Sequence, residues 1–289
     1  MLSEWGYWGE ELVGPLETFE KSQYTFDFAT PYGKRPIAIG VSMDPTFVDP
    51  PLGKPVVSEE MAAKVKEIDA ATGPRGDIFK DCKNIHEWIP ERPYWSSPTF
   101  IRELEEYNNK LEEVKPQLLA YDALLIVGGS GPMVDLVNNQ RVHDIILTFY
   151  RANKPVGAEC YGVACLAFAR DMNERISIIK GKNVTGHCLE YDYKDNTGFM
   201  PGNQRYFEEG QDPTKSDLGS INFGPPFYPL EYILRDATAP DGQYHGNFGK
   251  PTSVIVDYPF ITGRSTPDSY LTGEKMVEVL EQGLTRYGW

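Results

Sequence analysis

The sequence is poor in cysteine and in basic residues, and it contains no long apolar run. Its four cysteines in 289 residues are irregularly spaced and include no Cys-x-x-Cys pair, so a disulfide framework is not expected. Lys and Arg number 28 against 42 Asp and Glu, and this net charge of -14 argues against a nucleic-acid or anionic-membrane partner. No run of 18 apolar residues could span a bilayer, and the N-terminus lacks the basic and apolar regions of a signal peptide. We therefore expect a cytoplasmic protein.

Strands and helices alternate along the chain. Ala123–Val127 is a continuous apolar run that ends in Gly-Gly, which is typical of a strand buried on both faces. Pro155–Glu159 predicts a short strand, and Cys160–Arg170 predicts a helix directly after it. The alternation predicts an α/β fold with a mostly parallel sheet. We expect a single domain over residues 1–289 with long insertions, such as the Gly-, Asn- and Pro-rich stretch Asp192–Phe227.

The strongest chemical motif is PVGAECYGVA at residues 155–164. A strand leads into Cys160 and a helix begins at once, with the small residues Ala158 and Gly162 on either side. This pattern is typical of a nucleophile elbow, whose tight turn excludes bulky neighbours. A thiol at a helix N-terminus has a lowered pKa, so Cys160 is the candidate nucleophile. The alternative is a small buried core residue.

A second motif, VGGSGPMVD at residues 127–135, follows the buried strand. Its glycines leave backbone N–H groups at the strand ends, where open α/β sheets bind ligands and where an oxyanion could be stabilised. No Gly-Lys-Ser/Thr follows, so the turn is not a phosphate-binding loop.

Together, the segments AECYGVACL, GGSGPMVDL and GYWGEELVGPLETFEKSQYTFDFATP resemble the ThiJ/PfpI superfamily, as does the C-terminal VIVDYPFITGRSTPDSYLTGEKMVEVL. They are most similar to its large branch, which contains glyoxalase III-like chaperones. The resemblance implies a flavodoxin-like α/β sandwich, shared with class I glutamine amidotransferases. It also implies a homodimer, because superfamily members commonly form one.

The resemblance implies roles for particular residues. Cys160 matches the family's nucleophile, and Glu11 in EELVGP matches the acidic residue that hydrogen-bonds this cysteine. Gly129 and Ser130, with the amide of Tyr161, match the oxyanion pocket. A carboxyl enclosed beside a thiol would have a raised pKa and could donate a proton. The alternative for Glu11 is a surface acid in the first turn of a helix.

Two histidines of the glyoxalase III-like branch are missing. Tyr161 follows the cysteine in place of His, and the family's Gly-Gly-His-Gly turn is Gly-Gly-Ser-Gly here, with Ser130 at the His position. The Tyr161 hydroxyl could act as an acid or contact substrate. Glu159, at the end of a buried strand, must pair, become protonated or face the pocket. For both residues a purely structural role is the alternative.

His187 could restore a Cys-His pair. It ends a predicted strand over Asn183–His187 that should border the pocket, and Glu190 or Asp192 could orient its ring. His245 is the rival, since its distance from Cys160 along the chain is similar to the amidotransferase order, although no His-x-Glu follows.

These residues predict a cysteine-dependent enzyme that acts on a small polar carbonyl, amide or nitrile-like substrate. Hydrolysis, hydration and a glyoxalase-like rearrangement are all compatible with the motifs, and no metal or cofactor is expected. The alternative is a stress-response chaperone or an oxidation sensor without turnover. A histidine within reach of Cys160 would favour the enzyme.

Overall fold

The computed structural model describes residues 1–49, 51–192 and 228–289. Apart from Asp192, the predicted excursion Asp192–Phe227 lies outside the described residues. The helices are α1 (Gly9–Lys21), α2 (Glu59–Asp69), α3 (Ile85–Trp88), α4 (Phe100–Leu118), α5 (Pro132–Asp135), α6 (Gln140–Arg151), α7 (Ala164–Phe168), α8 (Leu189–Asp192), α9 (Leu230–Thr238) and α10 (Ser269–Gln282). Short 3-10 helices lie at Gly40–Met43, Cys160–Val163 and Thr266–Asp268. The strands are β1 (Ala29–Thr30), β2 (Val48–Asp49), β3 (Lys54–Pro55), β4 (Lys83–Asn84), β5 (Leu124–Ile126), β6 (Val156–Glu159), β7 (Asn183–Val184), β8 (Gln243–Tyr244), β9 (Val254–Asp257), β10 (Phe260–Gly263) and β11 (Arg286–Tyr287).

The main sheet has five strands in the order β11-β9-β10-β6-β5. Its β5, β6 and β10 run parallel, whereas β9 and β11 pair antiparallel at the other side. The small β1–β4 and β7–β8 pairs are also parallel, and β2–β3 is an antiparallel hairpin. The prediction of an α/β fold with mostly parallel pairing is confirmed.

Helices cover both faces of this sheet. Along β6, Val156 and Ala158 join the apolar core formed with α6 and α7, whereas Gly157 faces Met276 of α10. On that second face α1 packs closely against α10, because a Cβ at Gly14 would lie 2.7 Å from Ser269 atoms. This contact holds α1 on the α10 face of the sheet, with its first turn near the carboxyl end of β6.

The first residues of the chain lie beside β5. The Met1 nitrogen donates to the Leu125 carbonyl at 2.7 Å, and the Val127 N–H donates to the Met1 carbonyl at 3.1 Å. The Leu2 N–H donates to the Ala29 carbonyl at 2.9 Å, which connects this edge to β1. Within the described residues, no helix is long and apolar enough to cross a membrane.

Two local predictions were wrong in extent, and one strand was not predicted. The predicted strand Asn183–His187 stops at Val184, and it pairs with β8 rather than joining the main sheet. The helix predicted over Cys160–Arg170 begins as a 3-10 turn and continues only to Phe168 as α7. Strand β10 was missed, because its residues follow β9 after a two-residue turn and extend the same apolar pattern.

Candidate active site

Cys160 occupies a strained elbow directly after β6. Its φ of 51° lies in the left-handed region, which L residues with a side chain rarely adopt. The sharp turn is possible because Gly128 of the neighbouring Gly-rich turn has no side chain. A Cβ there would lie 2.6 Å from the Cys160 Cβ and 2.3 Å from Glu11 Oε2. The sequence pattern of small residues around the cysteine thus has a direct steric cause.

The surroundings of the Cys160 sulfur favour its protonated form. The residue is only 4% exposed, and burial, followed by the nearby Glu11 carboxylate, raises the pKa of the thiol well above its usual value. The backbone N–H groups of Gly129 and Tyr161 point at the sulfur and partly oppose this pKa shift. The prediction of a lowered pKa from the helix N-terminus alone was therefore wrong, because desolvation outweighs the dipole in this buried position.

Glu11 reaches the thiol from the first turn of α1. Its carboxyl hydrogen-bonds with Cys160 and with the Gly129 N–H, and it is 1% exposed. Burial raises the pKa of Glu11 to about 8, so the group is mainly a protonated acid at neutral pH. Its Oε2 has no hydrogen-bond partner among the described residues. The structure therefore places Glu11 in the pocket and not at the surface.

His187 also contacts the sulfur. Its Nδ1 is 3.2 Å from Cys160 Sγ, and its Nε2 is 3.2 Å from Asp192 Oδ1. An Nε2–H that donates to Asp192 leaves Nδ1 as an acceptor facing the thiol. The one-turn helix α8 separates the two residues along the chain and places Asp192 within reach of Nε2. Asp192 contacts the ring, and no contact joins Glu190 to it within the described chain.

Tyr161 extends this row of groups. Its hydroxyl donates to Asp192 Oδ1, the same oxygen that His187 contacts. The Tyr161 and His187 rings pack with their centroids 4.5 Å apart. Tyr161 thus holds the Asp192 carboxylate in its contact with His187.

Ser130 and Glu159 are both buried. The Ser130 hydroxyl has no hydrogen-bond partner among the described residues, although its turn borders the thiol. Glu159 is fully buried beside the Thr272 hydroxyl, on the α10 face of β6. Burial, and then the Glu11 carboxylate, raises the pKa of Glu159 well above its usual value. Burial therefore favours the protonated form of Glu159.

His245 is not brought to the thiol. Because β8 pairs in parallel with β7, the His245 N–H donates to the Val184 carbonyl at 2.8 Å. Its Nε2 lies 2.9 Å from Asn183 Oδ1. The rival placement of the histidine beside Cys160 is therefore wrong.

Sequence reasoning missed Asp49 and the pair formed by Arg264 and Asp268. Asp49, at the end of β2, interacts electrostatically with His187 and Asp192. Arg264 and Asp268, both fully buried, form an ion pair at 3.4 Å, and the guanidinium lies 5.6 Å from the ring centroid of Tyr191. The Ser-x-x-Asp capping box that begins at Ser265 could have indicated the pair, whereas the loop around Asp49 offered no signal.

The described residues contain no group of three or more His, Cys, Asp or Glu side chains arranged to hold a metal ion.

Comparison with known proteins identifies the family. A model described as ThiJ/PfpI family-like matches residues 2–200. The chain belongs to the ThiJ/PfpI family. No curated protein matches it in sequence.

Solved structures with low sequence identity share the fold. Glyoxalase III from Candida albicans is 18% identical with a TM-score of 0.61, and the match covers 96% of this chain and 89% of that one. The Rapid Encystment Protein 24 KDa of Francisella tularensis is 20% identical with a TM-score of 0.60, covering 96% of this chain and 94% of that one. At these identities the likeness shows the fold alone, and the predicted flavodoxin-like α/β architecture is confirmed.

Proposed function

We propose that this ThiJ/PfpI protein is a cysteine-dependent enzyme that acts on a small polar carbonyl, amide or nitrile-like substrate. The observation that supports this most is the row Cys160–His187–Asp192, with both contacts to the imidazole at 3.2 Å. A thiol with a raised pKa needs a base to become a nucleophile, and an oriented imidazole is the group that supplies one near neutral pH.

Hydrolysis is the reaction that this geometry supports best. The Cys160 proton passes to His187 Nδ1, and the sulfur attacks the carbonyl carbon while the C=O electron pair moves to oxygen. The N–H groups of Gly129 and Tyr161 stabilise that oxyanion. When the carbonyl re-forms, the leaving group takes the proton from His187. Water, activated by the same imidazole, then cleaves the thioester.

Glu11 is proposed as the second proton donor at the sulfur, beside the imidazole. As a protonated acid it hydrogen-bonds with the thiol and can stabilise the thiolate when it forms. Hydration of a nitrile-like carbon or a glyoxalase-like rearrangement would use the same thiol and the same two proton carriers.

A sensor without turnover is the second candidate, and the direct contact between Glu11 and the thiol is the observation that favours it. Oxidation follows thiolate character and exposure, however, and Cys160 is buried with a raised pKa. The imidazole beside the sulfur is the base that turnover requires.

The experiment is turnover of two probes, p-nitrophenyl acetate and methylglyoxal, by the wild-type chain. We expect a transient acetyl adduct on Cys160 by intact-protein mass spectrometry, and Cys160→Ser should lower turnover by roughly 10³-fold. Cys82→Ser, which removes a half-buried thiol in a different part of the fold, should not change it. Turnover retained in Cys160→Ser would overturn the assignment, and a permanent adduct without turnover of either probe would favour the sensor.

We also propose a single-domain, cytoplasmic homodimer. One sheet contains β5 and β6 as well as the C-terminal β9, β10 and β11, which supports a single domain. All four cysteines are free thiols, as in proteins of reducing compartments.

A further inference from the structure

The charged side chains described around the thiol are mostly carboxylates. Asp49 approaches the site from the β2–β3 hairpin, where it interacts electrostatically with both His187 and Asp192. Its Oδ1 accepts the Leu52 N–H at 2.9 Å, which fixes the carboxylate in the turn. The residue is partly exposed, so a ligand can reach it.

Asp192 supplies a second, deeper carboxylate with an oxygen to spare. Its Oδ1 serves both His187 and Tyr161, whereas the buried Oδ2 has no hydrogen-bond partner in the described part of the chain. A buried carboxylate oxygen without a donor is costly, and a bound donor would remove that cost. Among the described residues, this oxygen is therefore free to accept a hydrogen bond from a bound ligand.

The other two carboxyl groups at the site, those of Glu11 and Glu159, do not change the sign of its charge. Burial raises the pKa of Glu11 to about 8, so this group is mainly protonated near pH 7, and burial also raises the pKa of Glu159 well above its usual value. Neither carboxyl group offers a positive charge to an anion. Asp49 and Asp192 therefore set the sign of the field.

No free cation balances these two carboxylates within the described residues. The buried guanidinium of Arg264 pairs with Asp268 and donates to the carbonyls of Asn247, Lys250 and Pro251. Lys54 is the register partner of Asp49 in the hairpin, but its side chain is exposed and forms no ion pair there. Among the described residues, a substrate carboxylate or phosphate would therefore meet like charge.

We infer that the substrate carries a positively charged group, an ammonium or a guanidinium, that binds against Asp49 and the free oxygen of Asp192. The inference rests on the proposed function, since it assigns the substrate class of the Cys160 site. The cation would satisfy Asp192 Oδ2 and place the reactive carbon at the sulfur. A developing oxyanion would then form in a site whose negative charge is already compensated.

The test compares two methanethiosulfonate reagents of similar size on the wild-type chain. One carries a trimethylammonioethyl group and the other a sulfonatoethyl group, and the labelling rate of Cys160 is followed by peptide mapping. The ratio of the two rates is divided by the same ratio for N-acetylcysteine amide. We expect the cationic reagent to be favoured by roughly tenfold or more, the lower end of electrostatic steering in a charged cleft.

Asp49→Asn distinguishes the effect of charge at the site from the effect of the protein's overall charge. The asparagine keeps the oxygen that accepts the Leu52 N–H, so the hairpin is preserved. This variant should lower the cation preference by roughly fivefold. Asp44→Asn, which removes the same charge at an exposed position five residues earlier, should leave it unchanged.

Equal rates for the two reagents, or equal effects of the two variants, would overturn the inference. That result is distinguishable from failure of the proposed function, which depends on turnover and on Cys160→Ser. A site without charge preference but with Cys160-dependent turnover would refute only the cationic substrate. A preference for the cationic reagent without turnover would refute only the proposed enzymatic function.

Discussion

At Cys160 the surroundings hold the proton on sulfur until a base removes it. Desolvation and the Glu11 carboxylate raise the thiol pKa, and only the Gly129 and Tyr161 N–H groups oppose them. A thiol in such a site resists adventitious oxidation, and it becomes reactive when His187 accepts its proton.

The protonation of Glu11 makes the stability of the folded chain depend on pH. Its pKa is about 8 in the folded chain against 4.5 as its ordinary value, so between these values the folded state binds more protons than the unfolded state. Stability must then fall as pH rises through this window, by up to roughly 1.4 kcal/mol per pH unit from this one group.

Glu11→Gln should remove that component. We expect urea unfolding at pH 5.5 and pH 7.5 to show a smaller loss of stability in the variant than in the wild type, by roughly 1–3 kcal/mol. Glu59→Gln, at an exposed position in the first turn of α2, serves as the control and should keep the wild-type pH dependence. Identical pH slopes in wild type and Glu11→Gln would show that Glu11 is ionised at neutral pH.

Among the elements, the elbow could be predicted best from sequence. An apolar strand, a cysteine and small neighbours define β6 and the turn after it, and the Gly-rich turn after β5 was equally clear. These are local signals, since steric exclusion acts between residues close in the chain or on adjacent strands. His187 and its carboxylate could be proposed, but the choice between Glu190 and Asp192 depended on the single turn of α8.

Other elements depended on tertiary contacts that no local pattern encodes. The register of β7 against β8 directs His245 toward Asn183, and the missed β10 inserts between β6 and β9. Asp49 reaches the site only because a hairpin in a Pro- and Gly-rich segment folds toward it. Loop positions of this kind cannot be inferred from composition.

On the scale of the whole molecule, the proposed homodimer can be tested at one surface patch. Trp95, Ile101 and Tyr94 are 85%, 76% and 74% exposed, and a second copy of the chain would cover them. We expect a dimer mass in sedimentation velocity at micromolar concentration. Trp95→Asp should shift the protein to monomer without changing its far-UV circular dichroism. A wild-type monomer, or a variant that stays dimeric, would contradict this placement of the interface.

The central claim is that His187, oriented by Asp192, takes the proton from Cys160. The most direct measurement is the rate at which p-nitrophenyl acetate acylates Cys160 at pH 7, by stopped flow, in His187→Asn, Asp192→Asn and the double variant. We predict that His187→Asn lowers the rate by roughly 10²-fold or more, and that the double variant is no slower, because the two residues act as one unit. His143→Asn, on α6, should acylate at the wild-type rate. An unchanged rate in His187→Asn, or a multiplied loss in the double variant, would contradict the account.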